Sequence, residues 1–236
     1  MNQFSSFRKR GFTLVETVIA IGVLAVLLTG FMIVFAPAAA GIRRAISIQE
    51  ADRLKTTAEQ ELVTLRNGNN FDSGFNKAFD WIKESHTASD ALLVYQYRAD
   101  LASVRTDGTG NPVPDVSDKL AGVNYAVKSM MRRKSDPEFL KDLPAVEGRV
   151  YLVKCTQLAF DGAGTLTLAT PGEIRDPQNG GAPADNADNY PSAAIAFAAD
   201  FYAIPSKSPS YFNAKFNEFF QSPGRPIFSR NMAVRR

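Results

Sequence analysis

The chain is poor in reactive side chains. Its 236 residues include one cysteine, one histidine and one tryptophan: Cys155, His86 and Trp81. A single cysteine excludes an intramolecular disulfide, so sulfur says nothing about the redox compartment. A single histidine has no companion imidazole. His86 sits among Ser85, Thr87 and Ser89 and reads as a solvated loop residue. Cys155 falls inside a strand-like pattern, where a small buried hydrophobe is the default. A Cys-His nucleophile pair stays open on sequence grounds, with nothing in its favour. An excess of charge is also missing. The balance of 27 basic against 24 acidic residues leaves +3, too little to imply a nucleic-acid partner. Gly108-Thr109-Gly110 and Gly162-Ala163-Gly164 lack the spacing and context of a phosphate loop and read as turns. No cluster nominates catalytic residues, and the chain reads as a protein without enzymatic activity.

Charge is scarcest over residues 12–35, where Glu16 is the only ionised side chain. At roughly 1.5 Å per helical residue, this run spans the hydrocarbon core of a bilayer. A carboxylate there is costly, although less so near the interface where Glu16 would lie. Arg8, Lys9 and Arg10 precede the run and favour a cytoplasmic amino terminus. Arg43 and Arg44 beyond it weaken that charge argument. The basic start, apolar run and small residues at 36–41 also fit a secretory signal peptide cut near residues 38–40, or a plain single-pass anchor. Against the signal peptide, the run is longer than the usual apolar core of such a segment.

The stretch Lys9-Arg10-Gly11-Phe12-Thr13-Leu14-Val15-Glu16 resembles the processing site of the type IV prepilin and pseudopilin superfamily. The resemblance implies that a membrane prepilin peptidase cuts after Gly11 and methylates the new amino terminus at Phe12. It gives Glu16 a role in assembly. Residues four apart share a helix face, so the freed Phe12 amine and the Glu16 carboxylate can pair within or between subunits. The implied partners are the peptidase, other pilin-like subunits in a homo- or hetero-filament, and inner-membrane lipid. The implied location is a single pass through the bacterial inner membrane with the head outside the cytoplasm. The patterns at 149–170 and 193–205 are similar to pilin-like cassette proteins of verrucomicrobial bacteria.

Four segments follow: a leader at 1–11, the membrane half of a spine helix at 12–36, its amphipathic half at 37–66, and a head at 67–236. Ile42, Ile46, Leu54, Ala58, Leu62 and Leu65 keep to one stripe, so the helix is expected to reach Arg66, with a kink or local break at Pro37. Asn67-Gly68-Asn69-Asn70 supplies a stop. The expected fold class is α+β, a long spine packed on an antiparallel sheet. Phe75, Phe79 and Ile82 mark one face of a short helix, and strands are expected at 91–97, 123–131, 150–160, 165–169 and 193–204. Asp161-Gly162-Ala163-Gly164 signals a hairpin. The stretches 107–117 and 170–192 have turn composition.

Three weaker signals complete the reading. Asp185, Asn186 and Asp188 offer hard oxygens for a Ca2+ ion, without the glycine and terminal glutamate of a calcium loop; a solvated acidic turn is the plain alternative. Lys128, Arg132, Arg133 and Lys134 form a basic cluster able to meet DNA, and otherwise a solvated strand end. Tyr211, Phe212, Phe216, Phe219 and Phe220 are spaced for one helical face and read as core.

Overall fold

A 50-residue helix, α1 (Leu14–Val63), opens the computed structural model, which describes residues 13–65, 70–105, 110–117, 125–161, 163–178 and 181–236. Its first half is rich in Leu, Ala, Ile and Val, and internal bonds satisfy the side-chain hydroxyls of Thr17 and Thr29, which donate to the carbonyls of Thr13 and Ala25. Pro37 lies inside α1 and the helix continues through it, so of the expected kink or local break the break is absent. Proline removes a single donor, and the helical turns on both sides remain intact. The helix ends at Val63, short of the expected Arg66, which lies outside the described residues. The chain divides into two units, residues 1–46 and 47–236, so the last turns of α1 belong with the head.

The head contains α2 (Gly74–Glu84), β1 (Leu92–Val104), β2 (Pro112–Pro114), β3 (Ala126–Arg133), α3 (Pro137–Asp142) and, after a 3-10 turn, β4 (Val146–Phe160). It then continues with β5 (Leu166–Leu168), β6 (Ala194–Ala203), α4 (Pro209–Ala214), α5 (Phe216–Gln221) and β7 (Phe228–Arg235). The strands form one seven-stranded antiparallel sheet in the order β2-β1-β4-β6-β7, with β3 on β1 and β5 on β4. An α+β fold with a helical spine and an antiparallel head is therefore present. Strands β2 and β7 extend the expected set. The prolines of β2 hide it from a strand pattern, and the exposed Ser229, Arg230 and Asn231 do the same for β7.

Alternation along the strands separates two cores. Leu92 and Val94 of β1 join Tyr151, Val153 and Cys155 of β4 beneath Leu54, Ala58 and Leu62 of α1 and Phe75, Phe79 and Ile82 of α2. Leu93, Tyr95 and Tyr97 of β1 join Val150 and Leu152 of β4 beneath Phe139, Phe212, Phe216 and Phe220. The sheet is thus covered twice, by α1 and α2 on one face and by α3, α4 and α5 on the other. The aromatic group at 211–220 is core, as its spacing predicts, but it is split between two short helices rather than carried by one.

The junction of α1 with α2 is close and polar. A Cβ added at Gly74 would lie 2.2 Å from the Val63 carbonyl oxygen, so only glycine allows α2 to start there. Ser73 caps α2 by accepting from the Asn76 amide. One turn on, the buried Lys77 ammonium donates to the carbonyls of Glu61 and Thr64, each at 2.7 Å. These belong to the orphan carbonyls that end an α-helix, where positive charge is favoured. The same ammonium lies 4.2 Å from the centre of the Trp81 ring. Replacing Lys77 with Met leaves the buried Glu61 carbonyl and the half-buried Thr64 carbonyl without their donor, at about 1.5–3 kcal/mol per charged hydrogen bond. A lower urea midpoint, read from the fluorescence of the lone tryptophan in the detergent-solubilised chain, is the expected result.

Candidate assembly site

Thr13 and Glu16 sit three residues apart at the start of α1, the spacing of a capping box. The Glu16 amide bonds the Thr13 hydroxyl at 3.3 Å, and Glu16 Oε2 accepts from both the Thr13 amide and the Thr13 hydroxyl at 2.9 Å. Glu16 therefore has a partner within its own chain besides the Phe12 amine considered from sequence. The Thr-x-x-Glu signal for it is present in the linear sequence. Cutting the bond between Gly11 and Phe12 leaves the Thr13 amide intact, so the box is compatible with both forms of the chain. The leader residues Arg8, Lys9 and Arg10, with Gly11 and Phe12, lie outside the described residues.

From Thr13 to Ile46 every described side chain is exposed. Among them are Phe31 and Phe35, whose rings stack at 3.8 Å. Leu14–Val63 is the helix among the described residues that is long and apolar enough to cross a membrane. Aliphatic surface exposed all round a helix favours lipid or neighbouring helices over water.

The weaker candidates fall elsewhere. Asp185, Asn186 and Asp188 are exposed. Asn186 Oδ1 accepts from the Asn189 amide at 2.9 Å and Asp188 Oδ1 from Asn76 Nδ2 at 3.3 Å, while Lys83 Nζ donates to the Asp185 carbonyl at 3.1 Å. Among the described residues no group of three or more His, Cys, Asp or Glu side chains is placed to hold a metal ion.

The basic cluster is divided by the fold. Lys128 is exposed, but Arg132 is buried and pairs with Asp136 at 2.7 Å and with the fully buried Asp142 at 3.1 Å. Asp142 also accepts from the Tyr95 hydroxyl at 2.6 Å and from Arg105. Arg133 meets Glu84 at 2.8 Å and lies over Trp81. Arg132 and Arg133 are thus held by carboxylates, not solvated as the strand-end reading had it. Asp142 lies beyond β3 in the sequence, and α3 brings it back to Arg132.

His86 is also corrected. It is half-buried, with Nε2 3.1 Å from both the Cys155 carbonyl and Thr156 Oγ1. Burial, helped by the Lys154 charge, lowers its pKa. It reaches the backbone of Cys155, not the thiol. Burial pushes that thiol up to about 12, so no thiolate forms near neutral pH. Where the last turns of α1 cross β1 and β4, the Tyr151 hydroxyl donates to Glu50 Oε2 at 2.7 Å. The same residues border a cleft of about 160 Å³ with Arg53, Glu147 and Arg149.

A family model described as the prokaryotic N-terminal methylation motif matches residues 6–32. No curated protein and no solved structure matches the chain. The chain carries the prepilin-type methylation motif, which supports a type IV pilin-like or pseudopilin subunit in general. The motif marks a structural class that is typically non-enzymatic. Together with the apolar helix it fits a membrane-anchored protein.

Two outcomes follow from this geometry. Thr13→Val removes one member of the capping box, and hydrogen exchange at the Glu16 amide in micelles is expected to rise several-fold. His86 has a folded pKa below its ordinary value of about 6.5, so the unfolded chain binds the proton more readily. Its contribution is therefore complete above that value and is lost as pH falls from there through the lowered folded value. Urea midpoints measured between pH 7.5 and 5.5 should show that loss in the native chain relative to the His86→Gln variant.

Proposed function

We propose that this chain is a structural subunit of a type IV pilin-like filament or a secretion pseudopilus. The observation that carries the reading is the methylation motif at residues 6–32, which leads into a helix exposed along its apolar length. A prepilin peptidase on the cytoplasmic face cuts between Gly11 and Phe12 and methylates Phe12. Arg8, Lys9 and Arg10 keep the leader inside. The helix is held in inner-membrane lipid with the head outside the cytoplasm, and then moves into a bundle of similar helices from other pilin-like subunits. Both surroundings accept the same aliphatic surface, so transfer between them does not expose it to water.

Glu16 is the polar element of that step. Two separated charges in a medium of low dielectric are far less favourable than a pair. The Phe12 amine, its own or a neighbour's, completes a carboxylate that the Thr13 capping box already orients. An arriving subunit that supplies the amine is thereby placed in register.

Mass spectrometry of the mature protein is the direct test, with a methylated Phe12 at its amino terminus as the expected result. A terminus at Gly41 would instead make it a secreted binding domain and end the filament reading. Glu16→Leu exchanges a costly carboxylate for a residue that lipid favours. The variant should reach the membrane fraction at native levels and fail to enter filaments; unchanged assembly would refute the role given to Glu16.

A further inference from the structure

The head ends in two apolar extensions that nothing in the described chain covers. Leu92 lies opposite Val153 and Tyr97 opposite Val146 in the antiparallel pair of β1 and β4. Strand β4 therefore overruns β1 at one end of the sheet, and β1 overruns β4 at the other. Beyond Gln157, its last residue paired with β6, β4 pairs among the described residues with β5 alone. Leu158 lies opposite Leu168, and Phe160 opposite Leu166. Alternation puts all four on one face of this hairpin. Phe160 is 71%, Leu166 46% and Leu168 61% exposed. At the far end of the sheet, Leu101 is 68% and Val104 59% exposed, with Val116 and Val127 also open.

An apolar face in water is unfavourable in proportion to its area, and a patch of this kind with a polar surround marks a docking surface. Charge argues against lipid as the occupant. Between Lys154 and Arg175 there is no basic residue, while Asp161 sits in the hairpin turn, so nothing there meets anionic headgroups. Area argues against a free-standing dimer. Three part-exposed side chains present a few hundred Å², well below the roughly 800 Å² per partner of a stable interface.

We propose that the heads of neighbouring copies stack end to end, with the Phe160, Leu166 and Leu168 face of one against the Leu101 and Val104 end of the next. This rests on the filament reading above. The two surfaces differ and lie at opposite ends of one sheet, so the contact is heterologous and propagates instead of closing on itself. Its small area suits a chain whose neighbours are already tethered. Spine helices packed in one filament raise the local concentration of each head around the next, and a contact too weak to form in solution then persists.

Cysteine cross-linking of the full chain in the producing bacterium tests this. The native thiol is buried and stays silent. On oxidation, the double variant Leu101→Cys with Leu168→Cys is expected to give a ladder of dimers, trimers and larger species, while either single variant gives monomer. Adding Phe160→Ser should reduce the ladder about tenfold, as expected for loss of an anchor residue at the centre of a contact. An unchanged urea midpoint establishes that each variant is folded. Sheared filaments, collected by sedimentation, report assembly separately. Sedimentable filaments without a ladder, or dimers from Leu168→Cys alone, overturn end-to-end stacking and leave the filament reading standing. Absence of both filaments and ladder overturns the two together.

Discussion

The head depends on burial of both faces of a single antiparallel sheet. Neighbouring residues of β1 such as Val94 and Tyr95 point to opposite sides and both are buried, so neither side can be left to water. One covering layer comes from α2 and the last turns of α1, the other from the short helices α3, α4 and α5. This explains why α1 changes character along its length. Over its last turns it needs only the stripe of Leu54, Ala58 and Leu62 to fit the sheet, while its first half carries apolar residues on every side.

Polar groups inside this arrangement tie separate segments together. Lys77 of α2 holds the final carbonyls of α1, and the Tyr151 hydroxyl of β4 reaches Glu50 of α1. Asp142 at the end of α3 binds Tyr95 of β1, Arg132 of β3 and Arg105. A buried charge is tolerable only with such partners, and removing one leaves the others costly. These bonds hold the two layers in place on a sheet that apolar contact alone would fix less specifically.

The amino-terminal half was legible because its information is linear. Glycine, aromatic and glutamate at fixed spacing, followed by an uncharged run, need no tertiary context. The sheet was legible where strands alternate or run apolar, as at 150–160 and 193–204. It was missed where the composition argued otherwise, as in the proline-flanked β2 and the arginine-bearing edge strand β7. His86 and Arg132 were misread for one reason. Their hydrophilic sequence neighbours suggested solvent, whereas Cys155 and Asp142, which decide their environment, are brought to them by the fold. The Thr13 and Glu16 box is linear as well, a Thr-x-x-Glu spacing at the start of the helix.

Cys155 has a consequence of another kind. Its sulfur lies wholly within the layer between the sheet and α2, and the buried thiol resists ionisation. Thiol exchange requires a thiolate that can reach its target. The native head therefore presents no site for mixed disulfides, and its fold owes nothing to a covalent staple. It is chemically indifferent to whether the compartment around it is reducing or oxidising. A protein built this way can cross from one to the other without an oxidoreductase having to act on it.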